Sequence, residues 1–494
     1  MPAFAFVGPS YEAANPMQDA QRLVNWYVEV DPASDAKAAI GLLGTPGLSS
    51  AVASAYTGEV RGAWAFSGNT KALWAIGNTV VLMTIATAAT ATAAATFTLA
   101  TVGTIDTSSG QVCIRDNGAG GVVLIVDGPN GYVYNIAAGT LVKITDTGFL
   151  GADRIAYIDG FFILNRPGTQ QFYTLPIFWN GTSAIDATQF ASKDNSSDNL
   201  IMLIENKREL WLIGARTSEV WVGSGSVGFA FARLAGAAMQ IGCSAAHTIC
   251  RTGSGLMWLG RSERGENLVI QTQDYQHTQV STPAVAYAIA QYSVIDDAIA
   301  YLYTEEGHEF YVLTFPTAGV TWVYDLTTAL WHQRAMFDTS TGLFGRHRSN
   351  CYLSFAGQRL VGGFNDGQIY RMSRHTYVDG PGPLVAVRRA PHVWDKGERN
   401  RVVQTRLQVE FKPGVGLVTG QGSDPQIMLR WSNDGGFTWG NTHLLGIGKL
   451  GETGRRAIKR RLGAARDRVY EVTISDPVNR DVVGATLRGE ATDS

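Results

Sequence analysis

The sequence predicts an all-β chain: a β-propeller of about six or seven blades followed by a small C-terminal β domain. Three observations carry this. Glycine supplies 56 of 494 residues, about 11% against a usual value of roughly 7%, which suits a chain of many tight turns. Convincing helices are few. Most tellingly, one pattern recurs: an apolar strand, a turn bearing Gly, Asn or Pro, and a second strand rich in Trp, Tyr or Phe. It appears as LWAIGNTVVLMTI from Leu73, VLIVDGPNGYVYNI from Val123, FFILNRPGTQQFYTL from Phe161 and LWLIGARTSEVWVGSG from Leu210. LMWLGRSERGENLVIQ from Leu256, FYVLTFPTAGVTWVYD from Phe310 and LVGGFNDGQIYRM from Leu360 continue it. The starts lie 50, 38, 49, 46, 54 and 50 residues apart, the length in which a propeller blade fits four short strands. A single blade cannot bury both faces, so the aromatic positions should pack between neighbours in a closed ring.

Taken in order, residues 1–50 read as an extended lead-in. Within PMQDAQRLVNWYVEV, the residues Val24, Trp26, Val28 and Val30 alternate at period two, which favours a strand over a helical turn. Residues 51–384 form the propeller. Inside it, Thr84–Thr101 is low-complexity Ala and Thr, either a plain strand pair or a loop. The run DGPGPL, 379–384, breaks the pattern and places a boundary near residue 385. Beyond it VVQTRLQVEF, DPQIMLRWS and DRVYEVTIS alternate as half-buried strands do, so 385–494 is a basic β-rich domain.

Charge divides along the same boundary. The chain as a whole carries −2, but residues 385–494 carry +6 and the remainder −8, a polarity that favours binding to acidic proteins or nucleic acid, a solvated basic face being the commoner explanation. No stretch approaches the length of apolar chain that a membrane-spanning helix requires. The first 22 residues lack the pattern of a secretory signal, so folding in a cytoplasm is expected. Four cysteines, Cys113, Cys243, Cys250 and Cys351, are scattered without a CxxC pair, which argues for thiols and against a zinc site or disulfide framework. Eight dispersed histidines, His308 and His332 among them, show no HExxH or other ligand spacing, so no metal or cofactor is expected.

The sharpest motif is SNDGGFTW, Ser432–Trp439, which resembles the Asp box: Ser432, Asp434, Gly436, Thr438 and Trp439 fall on its pattern. There the Asp and Ser bond the turn's backbone, Gly permits positive φ and the Trp packs beneath, a structural role. Sialidases carry several such boxes, and the rest of their machinery has no counterpart motif here. GIGKLG, Gly446–Gly451, matches a dinucleotide fingerprint in letters only, because no strand–helix context surrounds it. No GxSxG occurs, and adjacent Asp296 and Asp297 would point to opposite faces of a strand. No catalytic residues are assigned. The basic run GRRAIKRRLGAARDRVY holds Arg455, Arg456, Lys459, Arg460, Arg461, Arg466 and Arg468. Arginine rather than lysine suits fixed bidentate contacts with carboxylates or phosphates, so these residues form a candidate protein interface, with a solvated strand face and direct DNA contact as the alternatives.

VNWYVEVD (Val24–Asp31), LLGTPGL (Leu42–Leu48), the hairpin cadence and the ending Leu429–Pro477 together resemble the packaged-DNA stabilisation proteins of short-tailed bacteriophages, also called tail hub, nozzle or tail accessory proteins. The ending is the most specific part. The resemblance implies a structural virion protein that is not an enzyme and takes no cofactor. It implies a homo-oligomeric ring, six subunits being the expected number, below the portal and its adaptor, with tail needle and tailspikes or fibres attached. Packaged double-stranded DNA would pass through the channel and be retained by it, in a virion tail assembled in the host cytoplasm, with no membrane insertion by this chain. Two other readings compete: a glycan-binding or glycan-cleaving tail propeller, which requires a pocket of carboxylates and exposed aromatics, and a cellular scaffold propeller, which requires a monomer with one recognition face.

Overall fold

The computed structural model describes residues 4–33, 38–118, 121–194, 196–226, 228–397 and 400–492. Strands account for 51% of the chain and helix for 2%. Seven antiparallel sheets surround one axis. Blade 1 is built from Val60–Ala65, Lys71–Ile76, Thr79–Thr87 and Thr96–Thr104. Blades 2 to 6 follow over 113–143, 155–192, 200–233, 242–279 and 299–333. Blade 7 takes Ser349–Phe355, Gln358–Gly363 and Ile369–Ser373 from its own stretch and its outer strand, Gly47–Ser50, from the far end of the sequence. That borrowed strand closes the ring across more than three hundred residues.

All seven hairpins of the sequence pattern are the second and third strands of a blade. These strands are apolar at nearly every position because both faces of a blade are covered. In Val122–Asp127 of blade 2, Val122, Leu124 and Val126 pack with Phe162 and Leu164 of blade 3, while Val123 and Ile125 pack with Leu73 and Val80 of blade 1. Alternate side chains thus serve alternate neighbours, which follows from the pleat. Blades 7 and 1 close the circle through Phe355, Leu360 and Ile369 against Trp74 and Val81. The Ala/Thr stretch forms a strand pair, Thr79–Thr87 with Thr96–Thr104.

The helix Pro283–Ala290 leads into blade 6; Thr282 caps it by accepting from the Val285 amide, and Pro283 stands at its first position. It buries Val285 and Ile289 against blades 5 and 6.

A β-sandwich adjoins blade 6. One sheet runs Trp26–Val30, Ile40–Gly44, Val482–Ala491, Val402–Phe411 and Ala457–Ala465. The other runs Ala20–Val24, Ala386–Arg389, Asp467–Ile474, Gln426–Ser432 and His443–Gly446, and it continues into blade 6 where Val24 meets Gln333. The amino-terminal segment, expected as an extended lead-in, therefore lies in three sheets; its residues 1–3 and 34–37 lie outside the described residues. Phe6, Leu23, Trp26, Val28 and Leu42 join Leu407, Val409, Ile427, Leu429, Tyr470 and Val472 in one core.

Asn25 is the corner between the sheets. Its φ of 57° sends Val24 and Trp26 into different sheets, so the period-two run predicted across it is two strands. Asn tolerates this left-handed backbone. The buried amide is fully used: Nδ2 donates to the carbonyls of Ala335 (2.8 Å) and Val385 (2.7 Å), and Oδ1 accepts from the Ala335 amide at 3.0 Å. One side chain joins propeller, sandwich and the segment between them.

Candidate functional site

The Asp-box hairpin has the geometry its residues imply. Ser432 Oγ accepts from the Gly436 amide at 2.8 Å and hydrogen-bonds Asp434 Oδ1 at 2.5 Å. Asp434 accepts from the Thr438 amide (2.9 Å) and hydroxyl (2.5 Å). These donors hold its carboxyl down at about 2, the Ser432 and Thr438 side chains acting most strongly. Gly435 and Gly436 both take positive φ, 76° and 102°. Trp439 packs against two cations: the Arg430 and Arg389 guanidinium carbons lie 4.8 and 5.0 Å from its ring centre. Buried Glu471 accepts from both, at 2.7 Å from Arg430 Nε and 3.0 Å from Arg389 Nε. The box is a brace, and no reactive group points out of it.

The basic run divides. Arg468 is 2% exposed and points inward: Nε donates to Asn433 Oδ1 (2.8 Å) and one terminal nitrogen to the Leu462 carbonyl (2.8 Å). It is a strut, which corrects its assignment to an exposed interface; a period-two strand beginning at Asp467 turns it toward the core. Lys459 is half-buried with Nζ 3.3 Å from His443 Nδ1. Arg455, Arg456, Arg460, Arg461 and Arg466 are exposed.

Register reveals two further residues that the local sequence could not. Arg406 lies opposite Arg460 on one side and Arg488 on the other, a row of three arginines across adjacent strands. Arg406 donates to Gln408, and Gln408 to Glu410 at 2.7 Å. No ion pair among the described residues involves Arg406, Arg460 or Arg488. Like charges directly opposite in a sheet are destabilising.

Elsewhere, no cluster of three or more His, Cys, Asp or Glu suited to a metal occurs among the described residues. His308 and His332 do share one neighbourhood, around Tyr27 and Phe310, as part of the joint between blade 6 and the sandwich. All four cysteines are free, and burial pushes Cys243 up to about 11 and Cys351 up to about 12. Asp297 accepts from the Thr317 amide at 2.8 Å, a turn-bracing role. No helix is long and apolar enough to cross a membrane among the described residues.

Comparison with known structures finds low similarity of overall shape. The extracellular domain of a hybrid two-component system from B. thetaiotaomicron aligns at 10% identity and TM-score 0.43, covering 77% of this chain and 45% of that one. A chain of the Mitotic Checkpoint Complex aligns at 10% identity and TM-score 0.38, covering 75% of this chain and 99% of its own. No curated protein matches the sequence. The family comparison is decisive: residues 23–377 match the family described as bacteriophage P22 Gp10, beta-propeller, and residues 387–490 match bacteriophage P22 Gp10, beta-sandwich. With both domains matched over most of its length, this chain belongs to the bacteriophage P22 Gp10 family of phage structural proteins.

Proposed function

We propose that this protein is a subunit of a tail ring, six copies being the expected number, placed below the portal and its adaptor in the virion, where it extends the DNA channel and helps retain the packaged genome. The observation that carries the reading is the row Arg488–Arg406–Arg460, flanked by exposed Arg455, Arg456, Arg461 and Arg466 on the sandwich. A sheet face that sets like charges opposite one another without ion pairs among the described residues gains stability when an acidic surface covers it. An adaptor or neighbouring subunit is that surface in this reading, while tail needle and tailspikes or fibres use other faces of the ring.

The propeller's own axis supports a channel made between subunits rather than through one. Side chains from all seven inner strands converge there and leave a cavity of about 300 Å³, far too small for a duplex. Double-stranded DNA would pass through the middle of the ring, past surfaces outside the basic sandwich face. A densely basic lining would bind the moving duplex through counterion release.

The test is a fourfold reversal of Arg455, Arg456, Arg460 and Arg461 to Glu, with Arg468 left intact. The variant should fold as a monomer by circular dichroism yet fail to join tails in a particle reconstruction. Normal incorporation into particles overturns the assignment of this face, and absence of the wild-type chain from the tail overturns the ring itself.

A further inference from the structure

The axial cavity has a chemistry that the proposed tail role does not use. Every blade contributes to its wall, which mixes polar groups with aliphatic side chains, Ile155, Ile204, Ile249 and Ile299 among them. Its cations are Arg115 and Arg154, it also carries His247 with two tyrosines and two cysteines, and no carboxylate is among the residues lining it.

Arg154 stands just before the inner strand Ile155–Ile158 of blade 3 and is 8% exposed. No ion pair involves Arg154 among the described residues: Nε donates to the Ala246 carbonyl and Nη1 to the Asp153 carbonyl, each at 3.2 Å, and the Cys113 thiol lies beside the guanidinium. Nη2 is buried and has no hydrogen-bond partner among the described residues. An unpaired buried charge is among the costlier features a fold can contain, and arginine does not escape the cost by losing its proton. Burial does hold Arg154 below the usual guanidinium range.

The surroundings add positive charge. Arg115 stacks over the Trp64 ring at 4.1 Å and shares the single carboxylate of Glu205 with Arg251. His247 is held neutral, well below its usual range, by burial first and then by Arg154. Its ring can therefore offer one N–H without adding a further cation.

We propose that the axial cavity is a binding site for one small monovalent anion of the chloride or formate class, held by Arg154 Nη2 with His247 and Arg115 on the surrounding wall. The volume accommodates such an ion with accompanying water. A divalent oxyanion is disfavoured because its desolvation cost rises steeply with charge. A bound anion would link blades 2, 3 and 5 through Arg115, Arg154 and His247, adding to the backbone hydrogen bond from the Ala300 amide to the His247 carbonyl that already joins blades 5 and 6 at the axis.

The experiment is thermal unfolding of the full chain in sodium gluconate, whose bulky polyhydroxylated anion serves as the reference, with bromide substituted at constant ionic strength. The melting temperature should rise along a saturating curve, by on the order of 1–3 °C, because the ion binds only the folded ring. Bromide in crystals should give an anomalous peak beside Arg154. Arg154→Met should abolish the response. Arg154→Lys keeps the charge but loses the fork, and should move the midpoint to higher bromide; it also serves if the Met variant does not fold. A melting temperature indifferent to bromide overturns the proposal, as does a midpoint unchanged in either variant.

Discussion

His308 Nε2 meets the Glu29 carboxylate at 2.9 Å across the joint between blade 6 and the sandwich. The other ring nitrogen is bound to buried Asp325 Oδ2 at 2.7 Å, so one imidazole bridges two carboxylates from two domains. The Asp325 hydrogen bond is the main reason its pKa is raised; burial opposes it and Glu29 adds to it. Tyr27 and Phe310 flank the ring, and Arg374, beside Tyr27, is paired with Glu306 and Asp481. Nearby His332 is held neutral by burial.

This clasp predicts a pH-dependent contribution. A histidine whose folded value lies above its unfolded one of about 6.5 stabilises fully below that pH, and the contribution is lost as pH rises through the folded value. His332 has the opposite sign, burial lowering it first and His308 also contributing, so comparing wild type with His308→Gln at each pH reads the clasp together with that smaller coupling. Urea unfolding should show a deficit of about 1–3 kcal/mol near pH 6, narrowing in alkaline buffer. A deficit that grows with pH would contradict the assignment.

Arg61 joins blades 1 and 2. Fully buried, it donates to the carbonyls of Gly77, Thr107, Ser109 and Gly110 and to Asp127 Oδ1 at 2.7 Å. Arg61→Leu leaves Asp127 buried without its cation and should cost about 3–5 kcal/mol. The double variant Arg61→Leu/Asp127→Leu should recover part of that loss, since it removes the orphaned charge. Equal instability of single and double variants by denaturant titration would show that the carbonyl ligands matter more than the ion pair.

Gly47 controls ring closure. A Cβ there would stand 2.3 Å from the Thr376 carbonyl oxygen and 2.5 Å from that of Val378, both backbone atoms. Gly47→Ala should therefore displace the borrowed strand from Ile369–Ser373 and destabilise the chain by about 1–3 kcal/mol. Hydrogen exchange should localise the effect to blade 7, where the amides of 369–373 lose protection. Uniform loss across all blades would instead mean that the ring opens as one unit.

The Asp434 carboxylate fastens the turn after Ser432, and Asp434→Ala should release it. The Thr438 amide should then exchange faster, with little change in global unfolding because the hairpin lies outside the sandwich core. In the wild type, lowering pH toward about 2 should have the same local effect, because the depressed value means the bonds are present above the ordinary aspartate range and lost as pH falls through the folded one. Thr438 protection unchanged at low pH would refute the link.

Much of this architecture is legible in the chain before it folds. The seven hairpins from Leu73 to Leu360 declare the blades because pleat, turn and apolar run are all local, and each occupies about a dozen neighbouring residues. The Asp box is legible for the same reason: Ser432 and Asp434 bond amides no more than four residues away. Only the tertiary structure decides the rest. Leu48 lies beside Met372, and Val24 beside Val387 and Gln333, through pairings that no local periodicity encodes. Arg468 and Arg460 are the same residue type in one basic run, yet one is turned into the core and the other lies opposite Arg406 on the neighbouring strand. Arg154 carries no motif at all; its unpaired charge exists because seven strands distant in sequence converge on one axis. Short-range geometry is written in neighbouring residues, whereas burial and charge pairing depend on which distant strands meet.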